Sequence, residues 1–125
     1  MSDTDLQRDM DVVRRLTAAQ RYGEAVQICE RLVATFPEAF DPHFHLAAIL
    51  LLREPKKALP YLERAHAIDP GHDEVLTLLA RATERINDWP AAEAWSRKVL
   101  ERDPGNVYAI AALAAAEIEA GRPDA

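Results

Sequence analysis

The chain has 125 residues, 49% of them hydrophobic, which is enough for one domain with a packed core. Its 15 Lys+Arg against 21 Asp+Glu give a formal net charge of −6, without the basic excess of a general phosphate-backbone binder, so nucleic acid is not an expected partner. Met1 to Asp11 is acidic and polar, unlike a signal peptide; no apolar run approaches the roughly 20 residues of a membrane span; and a single cysteine fits a reducing, cytoplasmic compartment.

From about Asp5 to Gln20, Leu6, Met10, Val13, Leu16 and Ala19 recur at three- and four-residue steps, the helical period. Gly23 falls in the break. A second helix, about Gly23 to Thr35, carries Ala25, Val26, Ile28, Cys29, Leu32 and Val33 inward, and Pro37 ends it because proline cannot continue a helix. The next pair begins near Phe40. Its first helix is apolar nearly all round from Phe44 to Leu52, a pattern that needs cover on most sides or exposure for a purpose. The break Arg53-Glu54-Pro55 is one residue shorter than its counterparts, and Pro60 inside the following helix should bend it locally. A third pair follows. It runs from about His72 to Ile86, with Val75, Leu76, Leu79, Ala80 and Ala82 inward, then from Trp89 to the stop Asp103-Pro104-Gly105-Asn106. Asp88 is placed to cap that helix, where an early Pro90 costs little. The last segment, Val107 to Ala120, is one more first-type helix with Ile110, Leu113, Ala114 and Ile118 in its stripe, and Gly121 to Ala125 reads as the break before another second helix.

The stops at Pro37, Pro70 and Pro104 are 33 and 34 residues apart, and a fixed period of that length marks a stacked array of repeats. Within each period a first-helix pair (Leu46-Ala47, Leu79-Ala80, Leu113-Ala114) precedes an aromatic opener (Tyr22, Trp89), a crossing alanine (Ala25, Ala58, Ala92) and a later small or apolar contact (Leu32, Ala65, Val99). Alanine suits the crossing because helices about 8–10 Å apart need small side chains where they meet. The pattern resembles the tetratricopeptide repeat. It departs from it in Val12-Val13 of the first unit, in the missing bulky aromatic early in every first helix, and in the second unit's missing aromatic opener. The resemblance implies an all-α, right-handed α-solenoid of antiparallel helix pairs. The single domain 1–125 would hold repeats at about 6–39, 40–72 and 73–106 and an extra helix at 107–120, about seven helices in all.

The same resemblance implies a non-catalytic scaffold whose first helices line a concave groove for a peptide or helix of another protein. The groove places fall on Met10, Arg14, Phe44, His45, Leu51, Leu78, Arg81, Arg85 and Tyr108. Such a wall, apolar in the middle with arginines beside it, would take an aliphatic or aromatic anchor flanked by an acidic group. Phe44 and Leu51 read equally well as packing residues, and the arginines as a solvated face paired with local carboxylates. Family members that hold the C-terminal carboxylate of chaperones carry a clamp of lysines, an arginine and asparagines; Met10, Arg14, His45, Glu74 and Leu78 stand at those places here, so that ligand is not expected. Two further readings follow from the family: an N-terminal module in front of a bacterial sulfotransferase or glycosyltransferase, and a chaperone sheltering a secreted partner.

No catalytic residue, cofactor or metal is expected. His43 and His45 are two apart and point to different helix faces, His66 and His72 straddle a helix end, and Cys29 lies on a buried stripe. Trp89 and Trp95 read as packing residues. The last helix is the oddity: Ala112, Ala115, Ala116 and Ile118 leave little polarity on what should be the solvent-facing lid of the stack. That face is expected to be covered, by further repeats of a longer parent chain or by a second copy in a homodimer.

Overall fold

A computed structural model describes residues 3–121, which form seven α-helices and, among the described residues, no strand. They are α1 (Asp3–Ala18), α2 (Tyr22–Thr35), α3 (Phe40–Leu51), α4 (Pro55–Ile68), α5 (Asp73–Arg85), α6 (Trp89–Arg102) and α7 (Val107–Ala120). Each helix packs on the next in the chain, and α5 also touches α3 and α7, so three pairs and a single helix stack in sequence order as a solenoid. Residues 122–125, read above as part of a further break, lie outside the described residues.

The repeated small residues set how closely the helices approach. Ala25, Ala58 and Ala92 are fully buried at equivalent places in α2, α4 and α6. One turn on stand Cys29, Leu62 and Ser96, also fully buried. The core divides into clusters along the stack. Met10, Val13, Ala25, Cys29, Leu32 and Leu46 close the first. The second gathers Ala47, Leu51, Ala58, Leu62, Ala65, Val75, Leu79 and Ala82. Leu76, Val99 and Ala109 join the last three helices. Burying each such leucine or valine contributes about 1.5–3 kcal/mol, whereas extra methylenes at a crossing alanine would cost about 1–3 kcal/mol by overpacking.

Polar contacts fix the turns between pairs. Phe36, Asp69 and Asp103 end α2, α4 and α6 in the same conformation, φ −125° to −138° and ψ 69° to 82°, each donating its backbone N–H to the carbonyl four residues back. The buried His43 of α3 donates from Nε2 to the Pro37 carbonyl at 2.9 Å, and Arg64 of α4 donates from Nε to the same oxygen at 3.4 Å while pairing with Glu38. Arg102 of α6 does the same for the next turn, bonding the Gly71 carbonyl at 2.9 Å and Asp73 at 3.1 Å. At the helix starts, Asp88 caps α6 by accepting from the Ala91 N–H, as its position predicts. Pro60 does not interrupt α4, which runs through it from Pro55 to Ile68.

Candidate functional site

The first helices of the stack are linked in turn, α1 to α3 through Arg14 and Asp41 and α5 to both α3 and α7 by direct contact, and aromatic and basic side chains stand at these junctions. On α3, Phe44 is half-buried with its ring stacked on Phe40 at 5.5 Å, edge-on to His45 at 5.5 Å, and 5.3 Å from His72. Phe40 in turn lies 4.7 Å from His72, whose Nδ1 accepts the Val75 N–H at the start of α5. His45 Nδ1 faces the Asp41 carbonyl at 3.0 Å; a carbonyl only accepts, so that nitrogen carries the proton.

The arginines span helices instead of standing free. Arg14 of α1 pairs with Asp11 at 2.7 Å and reaches Asp41 of α3 at 3.7 Å. Arg81 of α5 lies over the Tyr108 ring of α7, 4.3 Å from its centroid, and Tyr108 is 52% exposed. Arg85 donates to the carbonyls of Leu51 and Leu52 at the end of α3. A guanidinium has five N–H donors, so each arginine keeps some for an incoming carboxylate while holding two first helices together.

Four expected contact residues are placed elsewhere. Met10 is fully buried against Cys29 and Leu46, and Leu51 is 1% exposed among Ala58 and Leu62, so neither can meet a partner. Ala112 and Ala116, expected on the outer face of α7, are 2% and 1% exposed because they turn inward. Ala115 is half-buried and Ile118 is 60% exposed. Leu78 is half-buried against the core. Phe40 and His72 join the aromatic cluster: Phe40 stands four residues, about one helical turn, before Phe44, whereas His72 is the N-cap of α5 and helical spacing does not single it out.

Other features of the chain offer no chemistry of their own. Among the described residues there is no group of three His, Cys, Asp or Glu side chains that could hold a metal, and no helix long and apolar enough to cross a membrane. Burial, with Glu30 as the smaller cause, pushes the Cys29 thiol up to about 12, so it stays protonated and unreactive at neutral pH. Trp95 packs between core and surface, edge-on to His66 at 5.1 Å and beneath Lys98 at 5.1 Å. A hollow of about 450 Å³ between the start of α2 and the end of α3 is lined by Tyr22, Val26, Ile49 and Leu52 together with Arg53 and Glu54.

Residues 50–97 match the family model described as tetratricopeptide repeat. The match takes in α4 and most of α5 and α6, the stretch over which the chain is similar to that repeat. No curated protein matches the sequence. Among solved structures, the MamA protein is similar with a TM-score of 0.85 at 16% identity, over 92% of this chain and 63% of that one, so the chain spans less than two thirds of MamA's length. The Yersinia enterocolitica type III secretion chaperone SycD, solved in complex with a peptide of the translocator YopD, aligns with a TM-score of 0.82 at 13% identity over 96% of this chain and 97% of that one. PcrH, in complex with the chaperone binding region of PopD, gives 0.77 at 16% over 95% and 90%. At these identities the likeness is one of fold, and it covers nearly the whole chain.

Proposed function

We propose that the protein is a non-catalytic cytoplasmic scaffold that holds a peptide or helix of a partner protein along its first-helix face. The observation that carries this reading is Phe44, left half-exposed among Phe40, His45 and His72, with Arg14 reaching Asp41 of the same helix and Arg81 lying over Tyr108 between α5 and α7. An aromatic or aliphatic anchor would pack on the rings, and an acidic side chain beside it would reach the spare guanidinium donors. Arg14, Phe44, His45, Leu78, Arg81, Arg85 and Tyr108 remain the proposed contacts; Met10 and Leu51 support the wall from behind.

Within this reading a chaperone for a partner's segment is the form the comparisons favour, since SycD and PcrH are matched over 97% and 90% of their lengths and both are solved with a partner segment. The test is affinity capture on immobilised wild type beside Phe44→Glu and Arg81→Glu, read by mass spectrometry. A true groove partner is retained by the wild type, lost from Phe44→Glu and weakened by Arg81→Glu. A partner held equally by all three proteins would refute the assignment of the face.

A further inference from the structure

Between the first two breaks the stack leaves a hollow that the proposed partner face does not use. The break at Arg53-Glu54 is one residue shorter than those at Gln20-Arg21 and Asn87-Asp88, and Glu54 folds straight back onto the Leu50 carbonyl. Beside it lies the space of about 450 Å³, with Tyr22, Gly23 and Val26 of α2 on one side and Ile49, Leu50 and Leu52 from the end of α3 on the other. A second hollow of about 380 Å³ adjoins it, sharing Val26, Leu50 and Glu54 and continuing to Pro60 and Tyr61 of α4. Together they make an elongated, largely apolar groove, and the first alone falls in the size range of small-ligand sites, roughly 300–1,000 Å³. All of its walls belong to α2, α3, α4 and the breaks before α2 and α4, inside the stack.

Charge selects the occupant. Arg53, on the wall of the first hollow, is exposed and pairs with no carboxylate among the described residues, whereas Glu54 beside it is held by Lys57 at 2.9 Å. With Lys56 this sets three cations against one carboxylate over residues 53–57, in a chain whose net charge is −6. The start of α4 adds to the positive potential, because its first turn holds no acidic residue to offset the helix dipole. Glu30 lines only the second hollow, so the negative end of a ligand belongs at Arg53 and its apolar part towards Tyr61. Gly23 fits the same reading. It is the second residue of α2, its φ is not positive, and a Cβ there would meet nothing within 4 Å, so neither backbone nor packing demands glycine. It borders the hollow, and its missing side chain keeps the mouth open.

We infer that this groove binds a medium-chain alkyl carboxylate, its carboxylate on the Arg53 guanidinium and its chain along Val26, Ile49 and Leu50. A guanidinium and a carboxylate form the stronger, charge-assisted kind of hydrogen bond, and the aliphatic wall supplies the rest through burial of the chain. The site shares none of the residues proposed for a protein partner and does not depend on what that face binds.

Octanoate titrated into the full chain, followed by amide NMR shifts, reads the result. Saturable binding with a dissociation constant near or below about 1 mM is expected, with the shifts gathered at Gly23, Val26, Ile49 and Arg53. Butyrate, whose shorter chain buries fewer methylenes, should bind at least about tenfold more weakly. Octylammonium, which has the chain but the wrong charge for Arg53, should lose at least about tenfold as well. Arg53→Glu should weaken octanoate by a similar factor. Gly23→Leu should abolish its binding while keeping the urea midpoint at or above that of the wild type, because leucine is the better helix former. Phe44→Glu should bind octanoate like the wild type. No saturable binding up to about 20 mM, shifts gathered at Phe44 instead, octylammonium held as tightly as octanoate, or unchanged binding by Gly23→Leu would each overturn the site.

Discussion

Gln20 and Asn87, two repeats apart, turn the chain through the same left-handed corner, with φ of 61° and 62°. In each case the corner N–H donates to the carbonyl three residues back, Gln20 to Thr17 and Asn87 to Glu84, both at 3.0 Å. The following N–H then reaches five residues back, Arg21 to Leu16 at 2.8 Å and Asp88 to Thr83 at 2.9 Å. This is the helix ending in which glycine usually supplies the left-handed residue. The second pair, one residue shorter, avoids the corner: Glu54 closes directly on the Leu50 carbonyl at 2.7 Å.

An ordinary side chain in that conformation costs about 1–2 kcal/mol, and asparagine tolerates it best among the non-glycine residues. Gln20→Gly should therefore raise the free energy of unfolding by about 1 kcal/mol, after allowance for the added freedom of the unfolded chain. Asn87→Gly should gain less. Urea midpoints of the two variants against wild type would show it, and a Gln20→Gly chain no more stable than its parent would mean that the corner stores no strain.

The starts of α3, α5 and α7 differ in the same informative way. His72 and Asn106 accept backbone N–H groups from Val75 and Ala109, at 3.4 and 3.0 Å, whereas Ala39 has nothing to offer α3. Ala39→Asn should stabilise by about 1 kcal/mol, the usual worth of an N-cap. Asn106→Ala should lose at least that much, because Asn106 Nδ2 also donates to Thr77 Oγ1 at 3.2 Å and ties α7 to α5. Equal and negligible effects at both positions in thermal unfolding would contradict this reading of the caps.

The period of proline stops and crossing alanines made the solenoid legible, because both residues act locally and recur with every turn of the stack. The corner at Gln20 was not legible. The sequence puts its glycine at 23, yet Gly23 is the second residue of α2 and the left-handed backbone falls on a glutamine three places earlier. On the binding face, the run from Phe44 to Leu52 is apolar on all sides and carries no period to tell inner from outer; the fold buries Leu46, Ala47 and Leu51 and leaves Leu52 54% exposed. Met10 was misplaced because it and Val13, one turn apart, together close the first core cluster. The alanines of α7 gave the same ambiguity on both faces, and only packing against α5 and α6 decides that Ala112 and Ala116 are the inner ones.

Cys29 gives the protein an alkaline limit. Burial raises its thiol from 9.0 to about 12, so between those values the folded chain keeps a proton that the unfolded chain has lost. The contribution is thus fully present below about pH 9 and declines above it, by up to about 1.4 kcal/mol per pH unit. Cys29→Ala should cost about 1 kcal/mol at neutral pH through the lost sulfur contacts. Its deficit should shrink and then reverse as urea titrations are repeated from about pH 8 to pH 11. A deficit that stays constant over that range would show that the thiol does not titrate differently on folding.

Arg85 distinguishes an architectural arginine from a ligand anchor. Its two Nη groups reach the Leu51 and Leu52 carbonyls, at the negative end of α3, a helix with no basic residue of its own in the last turn. A cation there contributes about 0.3–1 kcal/mol through the helix dipole. Arg85→Gln should therefore lower stability by that amount even without a partner, while Arg85→Lys, which keeps the charge but not the fork, should recover part of it. Added salt should shrink the gap between wild type and Arg85→Gln, because the site is solvent-accessible and screened. If Arg85→Gln unfolds at the wild-type urea concentration at low ionic strength, the link between α5 and the end of α3 is not a stabilising one, and the residue's spare donors would then belong wholly to whatever binds the face.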